Sequence, residues 1–187
     1  MYDYERGREA SDPSTSPNRL AELAKDIDWE VRLAVAENSS TLPKTLSVLA
    51  KDEDADVRCG VAGNKNAPLK ILVTLAQSIH EDIRSGVAAN PSAPLEALAK
   101  LAEDKSDWIR CLVASNPDTP SEALAVLAKD RIFQVREEAA KNIKTPPKAL
   151  AKPAKDKDES VRYEALRNPS TPTNLRVPAS AVPSDTV

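Results

Sequence analysis

Apolar residues fall on two short stripes that recur along most of the chain every 26 residues. The first stripe is Leu20, Leu46, Leu72, Leu98, Leu124 and Leu150. Three residues later come Leu23, Leu49, Leu75, Leu101, Leu127 and, in the sixth copy, Pro153. An alanine follows each time, from Ala24 to Ala154, completing the i, i+3, i+4 spacing of one helical face. The second stripe is Val31, Val35, Ala36, with equivalents Val57, Val61, Ala62; Ile83, Val87, Ala88; and Ile109, Val113, Ala114. Each copy therefore predicts two short amphipathic helices, A and B, of about ten residues. Helices that short are marginal alone, so the copies must stack and share one continuous core.

Polar positions keep the same register. Asparagine stands at Asn38, Asn64, Asn90, Asn116, Asn142 and Asn168, and arginine at Arg32, Arg58, Arg84, Arg110, Arg136 and Arg162, always after Val or Ile. Thr119-Pro120-Ser121-Glu122 predicts a threonine N-cap for helix A, with proline at N1 and glutamate completing a capping box. Helix A should end at lysines such as Lys25, Lys51, Lys129 and Lys155, which suit the negative end of its dipole. Helix B should start from Asp28, Asp54, Ser106 or Asp158 and stop at the asparagine, because Asn90, Asn116 and Asn168 precede proline.

The expected fold is thus an all-α solenoid of six two-helix repeats, at about 16–41, 42–67, 68–93, 94–119, 120–145 and 146–171. Residues 1–15 read as a polar N-terminal tail and 172–187 as a disordered C-terminal tail. Pro153 should fray the sixth repeat by removing a backbone donor and an apolar contact. A seventh repeat starts at Pro172 and Leu175 and fails at Pro178, leaving an uncapped end that reads either as a self-association surface or as the scar of a lost segment.

Lys44-Thr45-Leu46-Ser47-Val48-Leu49-Ala50-Lys51-Asp52-Glu53-Asp54-Ala55-Asp56-Val57-Arg58 resembles the repeat of the leucine-rich repeat variant family. The resemblance extends over about residues 16–171 and implies a right-handed superhelix of alternating α and 3₁₀ helices, with helix B partly 3₁₀. The D-x-x-V-R segment also resembles that of HEAT repeats, whose units are longer. This likeness implies that each arginine pairs with an aspartate such as Asp26, Asp52, Asp104, Asp130 or Asp156, or with carbonyls between repeats. Some members of the variant family carry an iron–sulfur cluster in a separate cysteine-rich segment; two cysteines cannot supply its four thiolates.

Composition narrows the chemistry. A net charge of −3 gives no general attraction to nucleic acid or anionic lipid; it leaves room for a local basic stripe, although no basic clustering stands out. The first residues, MYDYERGREASDPSTS, lack the apolar run of a secretory signal, and no segment has the length of a membrane span, so a cytoplasmic location is expected. His80 is the single histidine, which excludes HExxH zinc chemistry, and there is no GxSxG nucleophile elbow. The four glycines, Gly7, Gly60, Gly63 and Gly86, make no phosphate-cradling loop. Cys59 and Cys111 share a repeat position two copies apart, about 16–20 Å at the usual interaxial spacing, and read as packing residues. Neither catalysis, a metal nor a cofactor is expected.

The arginine and asparagine series recur in every copy, and strict recurrence serves stacking better than recognition of an irregular partner. Positions that vary between copies say more. Trp29, Ile79-His80, Trp108 and Ile132-Phe133 interrupt acidic A-to-B turns, where they either cover the core or anchor a docked protein chain. The function expected is a non-catalytic scaffold for an unidentified protein partner. The alternative is a HEAT-like nucleic-acid binder or DNA-repair enzyme, which the acidic balance disfavours.

Overall fold

The computed structural model describes residues 4–176, in two compact bodies that divide in sequence between Leu101 and Ala102. The N-terminal body contains α1 (Tyr4–Ser11), α2 (Pro17–Leu23), α3 (Trp29–Glu37), α4 (Pro43–Leu49), α5 (Ala55–Gly63), α6 (Leu69–Leu75), α7 (Glu81–Ala89) and α8 (Leu95–Leu101). The C-terminal body contains α9 (Asp107–Ser115), α10 (Ser121–Leu127), α11 (Phe133–Lys141), α12 (Pro147–Leu150), a 3₁₀ turn at Pro153–Lys155 and α13 (Glu159–Arg167). The even-numbered helices are the A helices of successive repeats, and the odd-numbered helices from α3 onward are the B helices.

The B helices carry most of the packing within each body. In one body α1 packs on α3, α3 on α5 and α5 on α7; in the other α9 packs on α11 and α11 on α13. Leu20, Val31, Val35, Leu46, Val57 and Leu72 are wholly buried in the first, as are Ile109, Leu124, Val135 and Leu150 in the second. Each such side chain stabilises the stack by about 1.5–3 kcal/mol, which holds two-turn helices that would melt alone.

Helix B is α-helical in all six repeats, contrary to the 3₁₀ expectation. The tighter winding sits at the end of helix A instead. Ala24 stays in the α region, and the Lys25 and Asp26 N–H groups then donate to the Glu22 and Leu23 carbonyls, three residues back, at 3.0 Å each. Lys51, Asp52, Lys129 and Asp130 repeat this. No described residue has a positive φ, so these turns need no glycine.

The expected threonine caps are also absent. The Thr41 hydroxyl donates to the Val35 carbonyl at 2.6 Å and Thr119 to that of Val113 at 2.5 Å, tying helix B to the start of the next helix A. The cap position of α10 falls on Pro120, which has no hydrogen-bonding side chain.

Residues 4–11 are not part of a tail. One 26-residue interval back from α3 lies the B helix of a half repeat, α1. Arg6 pairs with Asp26 at 3.0 Å as Arg32 pairs with Asp52, and the Thr15 hydroxyl reaches the Glu9 carbonyl at 2.6 Å as Thr41 reaches Val35. Glu5 and Glu9 occupy the positions of Val31 and Val35, which hid the half repeat from a search for apolar stripes.

At the other end Pro153 is buried, so its side chain is not expelled from the stack and the defect lies in the backbone: α12 stops after four residues and resumes as a 3₁₀ turn. Residues 172–176 are ordered, with the Leu175 N–H bonded to the Pro172 carbonyl at 2.9 Å. The Leu175 side chain packs on the cluster of Ala140, Leu150, Ala154 and Ala165. The rest of the expected C-terminal tail, 177–187, lies outside the described residues.

Candidate partner-binding edge

Both polar ladders serve the stack. The Asn64 amide donates to the carbonyls of Ala36 and Asn38 in the preceding repeat, at 2.7 and 3.0 Å, while its own carbonyl oxygen accepts from the Asn66 N–H at 2.9 Å. Asn38, Asn90, Asn142 and Asn168 do the same, and all are buried. Asn116 is buried too, its oxygen accepting from the Asp118 N–H at 2.9 Å. In Asn38, Asn64, Asn90, Asn142 and Asn168 both the amide nitrogen and the carbonyl oxygen are thereby used.

The arginines divide into two sets. Arg32 grips Asp52 through Nε and Nη2 at 2.7 and 2.9 Å, while its Nη1 donates to the Asp26 and Ile27 carbonyls. Arg110 with Asp130 and Arg136 with Asp156 are equivalent. The Arg32 hydrogen bonds hold the Asp52 carboxyl below the usual range, as Arg136 does for Asp156. Burial pushes Asp130 upward, but hydrogen bonds from Arg110 and the Ile132 N–H outweigh it, so its pKa is also lowered. Arg84 is buried and bonds the Ser78 and Ile79 carbonyls. Arg58 and Arg162 are only half-buried and bond carbonyls alone. For Arg58 the cause is Ser78, which stands twenty residues on, where its siblings meet aspartate.

The five varying residues occupy three consecutive positions at the start of helix B. His80 and Ile132 are N-caps, Trp29 and Phe133 are first residues, and Trp108 is a second residue. In the C-terminal body Trp108 is 61 % exposed and Phe133 39 %, with Ile132 half-buried beside Phe133. The N-terminal body places Trp29, at 38 % exposure, two repeats from the exposed His80. Ile79 and its counterpart Ile27 are almost fully exposed on the same turns. Ile27 escaped the sequence reading, although aligning the repeats places it opposite Glu53, Lys105, Arg131 and Lys157.

The cap positions carry the physical signal. Asp28, Asp54 and Asp158 accept hydrogen bonds from Glu30, Asp56 and Ser160 N–H groups, whereas His80 and Ile132, and contrary to expectation Ser106, make no side-chain cap bond. An N-cap is worth about 0.5–2 kcal/mol, and giving it up for a poorly buried apolar side chain brings little packing in return.

Other chemistry is sparse among the described residues. Burial first, then neighbouring carboxylates, push the Cys59 and Cys111 thiols up, away from reactive thiolates. No group of three metal-ligating side chains occurs there, and no helix is long and apolar enough to cross a membrane.

Stacked two-helix repeats with internal polar ladders define an all-α repeat solenoid. The leucine-rich repeat variant profile matches residues 107–131. A solved structure described as a leucine-rich repeat variant with a novel repetitive structural motif superposes with a TM-score of 0.62 at 30 % identity, covering 82 % of this chain. The chain spans 62 % of that structure's length. The repeats are those of the leucine-rich repeat variant family. YibA of Escherichia coli (TM-score 0.54, 18 % identity, 89 % of this chain and 74 % of that one) shares the fold. So does an engineered protein (TM-score 0.50, 20 % identity, 89 % and 95 %). Comparison with curated protein sequences returns no match.

Proposed function

We infer that the chain is a non-catalytic repeat scaffold that binds a protein partner through the residues opening its B helices. The observation that carries this reading is the exchange of a capping group for an apolar one: Ile132 stands where Asp158 caps, next to Phe133, with Trp108 largely exposed one repeat earlier. Aromatic side chains are the usual anchors of such interfaces. The nucleic-acid alternative has no comparable support, given the net charge of −3.

The test is affinity purification of the tagged chain from its native host, with Trp108→Ala/Phe133→Ala beside it and thermal melts of both. Loss of a reproducible partner at an unchanged midpoint is the expected result. If the variant keeps the partner, or loses it only together with the fold, the edge is core cover and the reading fails.

A further inference from the structure

A net charge of −3 suggests no basic cluster, yet it conceals one. Residues 141–157 contain six lysines and one carboxylate, Asp156. Three of them, Lys152, Lys155 and Lys157, line a cavity of about 270 Å³ with Asp130, Arg136 and Asp156. The backbone break at Pro153 shapes this wall: Lys152 follows the shortened α12, Lys155 closes the 3₁₀ turn, and Lys157 begins the next turn. The corresponding trios elsewhere are mixed, such as Val126, Lys129 and Arg131 or Lys100, Glu103 and Lys105.

The Arg136 guanidinium is already committed. It binds Asp156 through two hydrogen bonds at 2.7 and 2.8 Å and the Asp130 and Arg131 carbonyls at 2.9 and 3.1 Å. The three lysines differ, being exposed, with no hydrogen bond or ion pair at any of their ammonium groups. Four cationic and two carboxylate side chains leave the cavity wall with a formal charge of +2.

We propose that this cavity binds a compact phosphoryl group, as free phosphate or a small phosphate monoester. A phosphoryl group carries about −1.5 to −2 at pH 7 and three acceptor oxygens, matching the wall's charge and its three free donor groups. A single carboxylate would neutralise only half of that charge. A phosphate polymer is disfavoured, because outside residues 141–157 the chain has 28 carboxylates against 20 lysines and arginines.

The experiment is a ¹⁵N–¹H NMR titration of the full chain with inorganic phosphate and with glycerol phosphate, at constant ionic strength in chloride. Acetate and a short single-stranded oligonucleotide serve as comparison probes. Saturable shifts confined to residues around 130–136 and 152–157 are expected with both phosphates. Lys152→Gln/Lys155→Gln/Lys157→Gln should weaken binding about tenfold, while Lys148→Gln, outside the cavity, should leave it unchanged. All four positions are exposed, so these variants should keep the wild-type amide spectrum. The proposal is overturned by an absence of saturation, by equal binding in the triple variant, by an acetate response matching phosphate, or by tighter oligonucleotide binding with shifts spread beyond the cavity.

Discussion

Ser78→Asp should make the protein more stable, an unusual outcome for a point substitution. Arg58 bonds the Asp52 and Glu53 carbonyls at 2.6 and 2.9 Å but has no carboxylate, whereas Arg32, Arg110 and Arg136 each meet one twenty residues on. The backbone is already suited to the change. Ser78 Oγ accepts from the His80 N–H at 3.2 Å, as Asp52 accepts from the Asp54 N–H at 3.0 Å. Two charge-assisted hydrogen bonds to a half-buried guanidinium exceed the ~0.2–1 kcal/mol of an exposed pair, but fall short of the ~1.5–3 kcal/mol of a buried charged hydrogen bond. Repulsion from Glu53 and other nearby carboxylates subtracts from this. A net gain of about 1 kcal/mol follows, or about 2–4 °C in midpoint for a chain of this size. Thermal and urea melts in low salt would measure it, with Ser78→Asn as the uncharged isostere and Arg58→Gln/Ser78→Asp closing a double-mutant cycle. A Ser78→Asp protein no more stable than Ser78→Asn, or a gain that survives removal of Arg58, would refute the pairing argument.

Two further outcomes test the ladders. Asn90→Ala removes donors to the buried Ala62 and Asn64 carbonyls, at 2.7 and 3.0 Å, and an acceptor for the Ser92 N–H at 2.8 Å. It should cost about 3 kcal/mol and lower the midpoint by several degrees, and an unchanged midpoint in a calorimetric scan would remove the stacking role. Asp52, Asp130 and Asp156 have native pKa values below the ordinary ones, so the unfolded chain binds their protons first on acidification. Their contribution is complete above about pH 5 and is lost as pH falls through about 4 towards the depressed native values. Urea midpoints measured from pH 7 to pH 3 should decline in that window, and less steeply in Asp156→Asn; identical slopes would count against the pairing.

The repeat period, the two-helix unit and the buried stripes were legible because each is a hydrophobic pattern of fixed spacing, repeated often enough to exclude coincidence. The half repeat at α1 was not, since Glu5 and Glu9 break the stripe while Arg6 and Thr15 keep only the polar register. The threonine caps failed for a different reason. A hydroxyl beside a helix start can serve either the helix ahead or the carbonyl behind, and here burial of the Val35 and Val113 carbonyls decides for the latter. The lysine cavity escaped because net charge averages over the chain, and because its shape depends on how Pro153 is accommodated, which spacing alone cannot give.

The departures from the repeat are not equivalent, and their energetics separate them. Pro153 retains its burial and loses only helical length, so packing tolerates it. Ser78 forgoes an ion pair that Arg6, Arg32, Arg110 and Arg136 possess, and Ile132 forgoes a cap that Asp28, Asp54 and Asp158 provide. A stack held by short helices has little reason to give up such groups unless something else uses the position. The strength of that inference rises with the stability forgone. Ile132, whose half-buried side chain replaces a cap beside an exposed Phe133, therefore carries it further than Trp29, whose position demands no particular polar group.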